Sequence, residues 1–394
     1  MRSQVEGSRA VAVTVARCRP EVICAYPISP QTHIVEALSE LVTTAELAPC
    51  EYINVESEFA AMSVAIGASA AGARSYTATA SQGLLYMTEA LYNAAGLGLP
   101  IVMTVANRAI GAPINIWNDH SDAMSQRDSG WIQLYAQSNQ DAVDLHVLAF
   151  RLAETLSTPV MVCMDGFVLT HAVEAVDVPT QEQVDAYLPP FTPRQLLDPA
   201  DPVTIGAMVG PEAFTEVRYL AHTTQLKALE LLPRLGAELA ATLGRPVRPL
   251  VDPYRIDDAD TVVVALGSVL GTVQECVDQL RAQGMRIGAL GLTAFRPFPA
   301  KQVRAVLRRA DRVVVLERAL AAGVGGFVTM DLRAALADLG TPLYTVVAGL
   351  GGRAVTRASL RHLLANAAVD RLEPLTFLDL DRAALERAGA AVGG

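Results

Sequence analysis

Short apolar runs alternate with helix-period segments along most of this chain. The runs at 22–25, 52–55, 75–79, 101–105 and 160–164 have the length and composition of buried strands. The stretches 8–17, 32–46, 58–72, 82–95 and 140–156 repeat apolar residues at helical spacing. Such alternation predicts a mostly parallel sheet with helices on both faces. The rhythm breaks at 188–258, which opens with Leu188-Pro-Pro-Phe-Thr-Pro193 and ends with Arg245-Pro-Val-Arg-Pro249. Between them helical spacing runs from Glu212 to about Leu243, and Pro233 predicts a kink there. A second alternation follows, with strands at 261–266, 286–290, 312–316 and 343–347 and helices at 269–283, 300–309, 326–339 and 358–365. The expected organisation is a parallel-sheet domain over 1–190, a connector over 191–258, a smaller α/β domain over 259–368 and a tail over 369–394. One more helix with a Gly-rich end is expected in the tail.

Composition narrows the class. A chain of 394 residues that is 51% hydrophobic and 18% charged can bury two cores. Its 31 Lys and Arg against 41 Asp and Glu give a net charge of −10, which argues against nucleic acid as a partner. Five cysteines without a C-x-x-C pair leave no local zinc or iron–sulfur ligand set, and their odd number fits the reducing cytoplasm. The N-terminus lacks the apolar segment of a secretion signal. The longest charge-free run, 90–107, contains Pro100 and reads as helix, turn and strand, so no membrane span is expected.

In parallel α/β sheets the loops after the strands form the binding crevice. Here these are 26–31, 56–58, 80–83 and 106–130. Two prolines stiffen Tyr26-Pro-Ile-Ser-Pro-Gln-Thr32, where Ser29 and Thr32 offer hydroxyls and Thr32 is expected to cap the next helix. Glu58 precedes a charge-free run, 59–73. It is either a helix-start carboxylate, worth about 0.3–1 kcal/mol, or an acid/base; the pattern alone favours the former. Ser81, Gln82 and Gly83 are small or polar residues at a helix start, where backbone N–H groups are free, but no Walker or G-x-G-x-x-G signature is present. Arg108, ending a strand, suits either bidentate anion binding or a salt bridge. The loop Asn115-Ile-Trp-Asn-Asp-His-Ser-Asp122 is dense in polar groups; a lone His120 there reads as structural.

Several long motifs occur in order: Ala25-Tyr-Pro-Ile-Ser-Pro-Gln-Thr-His33, Asn54-Val-Glu-Ser-Glu58, Ala70-Ala-Gly-Ala-Arg74, Thr77-Ala-Thr-Ala-Ser-Gln-Gly-Leu-Leu-Tyr-Met87 and Pro113-Ile-Asn-Ile-Trp-Asn-Asp-His-Ser-Asp122. With Arg127-Asp-Ser-Gly-Trp-Ile-Gln133, Pro159-Val-Met-Val-Cys-Met-Asp-Gly-Phe167 and Phe295-Arg-Pro-Phe-Pro299, they make the chain resemble the α-subunit of a 2-oxoacid:ferredoxin oxidoreductase, nearest the pyruvate group. The resemblance implies an α/β fold: a pyrimidine-type thiamine diphosphate domain followed by a transketolase C-terminal-like domain. It implies that Glu58 hydrogen-bonds the aminopyrimidine ring and so helps the cofactor lose its thiazolium proton. Ser81, Gln82, Gly83, Pro27 and Ile28 would line the cofactor, and Ser29 and Arg108 would hold the substrate carboxylate. The family usually has Thr at the position of Ser29, and many members have His at that of Phe59. The Gly-Asp-Gly motif that binds the diphosphate and Mg2+ is missing; Met164-Asp165-Gly166 does not replace it. The implied partners are a β-subunit carrying the diphosphate and Mg2+, a γ-subunit, a ferredoxin-like δ-subunit with [4Fe-4S] clusters, and ferredoxin, with coenzyme A as co-substrate. The expected reaction is oxidative decarboxylation of a 2-oxoacid, pyruvate favoured. Oxalate, phenylglyoxylate and branched-chain 2-oxoacids are the alternatives, as is a subunit without catalysis.

Overall fold

A computed structural model describes residues 2–389. The first half runs β1 (Ser3–Glu6), α1 (Gly7–Arg17), β2 (Val22–Ala25), α2 (Thr32–Thr43), β3 (Glu51–Asn54), α3 (Glu58–Ala70), β4 (Ser75–Thr79), α4 (Ser81–Tyr86), α5 (Thr88–Leu97) and β5 (Val102–Asn107). It continues through α6 (Ser121–Ser125), β6 (Ile132–Tyr135), α7 (Asn139–Leu156), β7 (Val160–Asp165), β8 (Val173–Val176), α8 (Gln181–Tyr187) and α9 (Phe214–Leu243). The second half holds β9 (Val251–Tyr254), β10 (Thr261–Leu266), α10 (Val269–Arg281), β11 (Ile287–Leu292), β12 (Ala294–Arg296), α11 (Ala300–Leu307), β13 (Arg312–Glu317) and α12 (Phe327–Ala335). It ends with β14 (Leu343–Val347), α13 (Arg357–Ala367), β15 (Leu375–Phe377) and α14 (Arg382–Arg387).

Two sheets carry the fold. The first has the order β12-β6-β7-β5-β4-β2-β3 and is parallel except for β12, which runs antiparallel to β6. The second has the order β15-β14-β13-β10-β11-β9, with only β9 antiparallel. From β2 the chain moves outward to β3 and then returns to place β4 on the other side of β2. The connections after β2 and after β4 therefore diverge, and the crevice at such a switch point is where parallel sheets bind ligands. The 26–31 and 80–83 loops flank it. The two sheets are sewn together, because the chain passes directly from β11 in the second sheet to β12 in the first. One apolar cluster joins Met62, Leu84 and Trp131 with Val264, Phe295 and Val315, all buried.

The expected alternation holds in both halves. β1 pairs with β8 in an antiparallel ribbon that the pattern did not show, since its residues are mostly exposed and follow no apolar run. The helix expected over 82–95 is two helices that meet at Met87. The Thr88 hydroxyl donates to the Leu85 carbonyl there, and local bonding of this kind competes with the regular ladder. α9 continues through Pro233 as one helix. Thr32 does not cap α2: Gln31 holds the N-cap position, without a side-chain cap bond. Instead the wholly buried Gln31 donates from Nε2 to the Ala78 carbonyl at 2.7 Å and so pins the 26–31 loop to β4. Of the expected tail helix, 390–394 lie outside the described residues. Among the described residues all five cysteines are free, and no helix is long and apolar enough to cross a membrane.

Candidate functional site

Glu58 is the first residue of α3. The helix starts there because the Ser57 Oγ accepts from the Ala60 N–H at 3.2 Å, an N-cap readable in the sequence. Glu58 is 8% exposed, yet among the described residues its carboxylate has no hydrogen-bond or ion-pair partner. A Cβ on Gly83 would lie 2.6 Å from Glu58 Oε1 and 2.6 Å from Thr79 Oγ1. Only glycine lets the carboxylate, the strand end and the helix start come this close. Thr79 Oγ1 is also buried without a partner, so two polar oxygens converge on a surface with no side chain.

Ser81 and Gln82 continue this wall. Ser81 is fully buried and takes a left-handed conformation (φ 49°). Its hydroxyl lies against the Gln82 side-chain carbonyl and 2.6 Å from the Ala109 carbonyl. The Gln82 amide in turn lies beside Gly111, where a Cβ would come within 2.5 Å of Nε2.

The structure brings Arg108 and Ser29 together through the Ser29 backbone. The buried Arg108 guanidinium donates from Nη1 to the Ser29 carbonyl at 3.0 Å and from Nε to the Asn115 carbonyl at 3.1 Å. It forms no salt bridge among the described residues, so carbonyl oxygens position it and leave its positive charge unpaired. Burial lowers its pKa, with Asp122 opposing. Ser29 itself and Pro27 are exposed, and Ile28 is half-buried and accepts from the Gln31 N–H at 2.8 Å.

Asp122 organises these loops. It is completely buried and accepts from the N–H of Ser81 and of Arg108, each at 2.9 Å, from Asn107 Nδ2 at 2.8 Å and from its neighbour's Ala123 N–H at 2.7 Å. Burial raises its pKa to about 6 even against these four donors. Its position in a polar loop marked it only as one candidate among many. That it clasps β5 to the start of α4 depends on segments 41 residues apart being brought together. Two concave pockets elsewhere, one lined by Asp141, Asp144 and Arg248 and one by Gly98, Ser157 and Phe191, contain none of these residues.

Asp165, the nearest approach to a diphosphate motif, has another task. It accepts from His120 Nε2 at 2.7 Å and from Arg318 Nη1 at 2.9 Å, and from the N–H and hydroxyl of Ser268. Burial works against its charge, but Arg318 and His120 hold it well below the usual carboxylate range. It is a clamp between the two sheets, and His120 is structural, as its sequence context suggests.

Residues 14–232 match the pyruvate flavodoxin/ferredoxin oxidoreductase, thiamine diphosphate-binding family, and residues 259–360 match the pyruvate:ferredoxin oxidoreductase core domain II. The chain belongs to this family. The pyruvate synthase subunit PorA of Methanosarcina barkeri is 47% identical over 365 residues, covering 91% of each chain. PorA of Methanothermobacter thermautotrophicus is 43% identical over 91% of this chain and 94% of its own. The ketoisovalerate oxidoreductase subunit VorA of Pyrococcus abyssi is 39% identical over 92% of each. Among solved structures, the 2-oxoglutarate:ferredoxin oxidoreductase of Magnetococcus marinus superposes with a TM-score of 0.75 at 19% identity. That match covers 93% of this chain and 65% of the other, and shows the shared fold. A split-gene transketolase matches at TM-score 0.58. As a family member the chain is one subunit of a thiamine diphosphate-dependent oxidoreductase. These residues fit an aminopyrimidine: an unpartnered buried carboxylate stands beside a glycine surface and a buried hydroxyl that has no partner among the described residues.

Proposed function

We propose that the chain is the α-subunit of an enzyme that oxidatively decarboxylates pyruvate to acyl-coenzyme A and CO2, with electrons passing through iron–sulfur clusters on partner subunits to ferredoxin. The pyruvate assignment rests on the PorA relatives at 42–47% identity, against 39% for the VorA relatives. The single observation that carries the site is the buried Glu58 carboxylate without a protein partner, facing Gly83. Bound thiamine diphosphate supplies the carbon nucleophile and the electron sink. Glu58 holds a proton at the ring nitrogen of the aminopyrimidine. Gly83, Ser81 and Gln82 would line that ring, with Pro27 and Ile28 on the loop across the switch point. The Arg108 guanidinium binds the substrate carboxylate, and the Ser29 hydroxyl hydrogen-bonds to it.

A separate β-subunit carries the diphosphate and Mg2+, and a ferredoxin-like δ-subunit carries clusters, beside a γ-subunit. Support for the β-subunit comes from this chain's own rim. Tyr26, Ile114 and Trp117 on loops, Phe59 in the first turn of α3 and Tyr86 at the end of α4 are exposed, and Phe59 and Tyr86 lie 6.2 Å apart. Grouped exposed apolar side chains mark a protein interface. The test is Glu58→Gln in the reconstituted complex, with pyruvate, coenzyme A and a viologen acceptor. Turnover is expected to fall by about 10²–10⁴-fold while the subunits still co-purify. Near-normal turnover would overturn the role of Glu58. A substrate panel of pyruvate, 2-oxoisovalerate, oxalate and phenylglyoxylate is expected to favour pyruvate.

A further inference from the structure

On the far side of the 26–31 loop, three segments bring two imidazoles and a carboxylate together. Glu6 ends β1, His33 stands in the first turn of α2, and His171 lies in the turn between β7 and β8. One ligand atom from each lies within 4.8 Å of the other two. His33 Nδ1 is 2.7 Å from Glu6 Oε1, and the rings of His33 and His171 are 4.5 Å apart. We propose that Glu6, His33 and His171 form a binding site for a divalent transition-metal ion.

The chemistry of the donors selects the class of ion. Two imidazole nitrogens and one carboxylate suit zinc and its first-row neighbours, whereas magnesium and calcium take all-oxygen sets. In a tetrahedral zinc site the ligand atoms stand roughly 3.3–3.5 Å apart. The His33 side chain is 48% exposed and has room to close that gap, and the open side leaves a fourth position for water. Outer-shell support is already built. The Thr170 hydroxyl lies 2.7 Å from His171 Nδ1, which leaves Nε2 for the metal. Phe167 packs on His171 at 4.7 Å and on Trp117 at 4.8 Å, forming an apolar wall behind the ring. An ion at this point fastens β1 and the β7–β8 turn to the start of α2, the helix that begins directly after the Ser29 loop.

The experiment uses the full-length chain, stripped with a chelator, desalted and titrated with Zn2+ in a calorimeter, with bound metal counted by elemental analysis. One Zn2+ per chain and a raised thermal midpoint are expected. His33→Ala and His171→Ala are each expected to weaken binding by more than the roughly 10–100-fold that loss of an outer-shell partner costs. Should a histidine variant fail to fold, the half-exposed Glu6→Gln carries the same expectation, since it keeps the shape and removes the anionic ligand. The proposal is overturned if the wild-type chain takes up no Zn2+ saturably, or if one-site binding survives all three substitutions, which would place the metal on other side chains.

Discussion

At the residue scale, buried polar groups with few alternatives determine most of the local behaviour. His146 on α7 is fully buried; its Nδ1–H donates to the Ala142 carbonyl at 2.6 Å, and its Nε2 accepts from Thr104 at 2.5 Å. Thr104 in turn bonds Tyr76 at 2.6 Å. Burial pushes the imidazole down to about 4 from its ordinary 6.5, only partly opposed by the Ala142 carbonyl. A neutral folded-state histidine gives stability that is present above pH 6.5 and is lost as the pH falls toward 4, because the unfolded chain binds the proton first. The loss amounts to about 3 kcal/mol at most. Urea unfolding at pH 7 and pH 5 is therefore expected to show a smaller difference for His146→Gln than for the wild-type chain. Glu58 shows the complementary case. Its helix-start location was legible from the charge-free run after it. That its carboxylate would be buried and unpartnered was not, because this depends on Gly83, 25 positions away, packing on it.

At the scale of elements, the loop between β5 and α6 does the most. It carries Asp122 into the core at one end. In its middle, Asn115 bridges the two halves of the molecule: its carbonyl accepts from Arg108 Nε, and its Nδ2 donates to the Gly351 carbonyl at 3.1 Å. Gly352 fits against Trp117 so closely that a Cβ would come within 2.4 Å of the Trp117 Cβ. The glycines of 349–352 are the surface that receives this loop. Asn115→Ala removes the bond to Gly351 and the 2.7 Å bond its Oδ1 accepts from the Trp117 N–H. The loss of about 1 kcal/mol per bond loosens the Arg108 support. The expected result is a rise of about fivefold in KM for the 2-oxoacid with a smaller change in kcat. An unchanged KM would separate the loop from substrate binding. β6 and β12, also absent from the sequence pattern, are short pieces whose pairing partners come from distant segments.

At the scale of the whole molecule, the two sheets behave as one body because apolar and ionic contacts both cross between them. Trp131, beside the first sheet, shares one apolar cluster with Val264 and Val315 of the second, and Asp165 binds Arg318 and Ser268 from the second half. Asp165→Asn leaves the buried Arg318 charge without its counter-ion, a change that costs about 3–5 kcal/mol. Urea denaturation of the isolated chain is expected to show that loss as a lower midpoint. A splitting of the single transition into two would show that the halves then unfold separately.

The sequence by itself determined the α/β class, the alternation of both halves and the identity of the residues at the strand ends, because these depend on periodicity and short-range steric rules. It also made Glu58, Ser29 and Arg108 visible, since motifs are local. The tertiary structure alone decided which of them meet. Arg108 reaches Ser29 across 79 positions, Asp165 reaches Ser268 across 103, and Asp122 ties two loops together. Such contacts arise when distant segments are packed against a shared core, and no local pattern encodes that geometry.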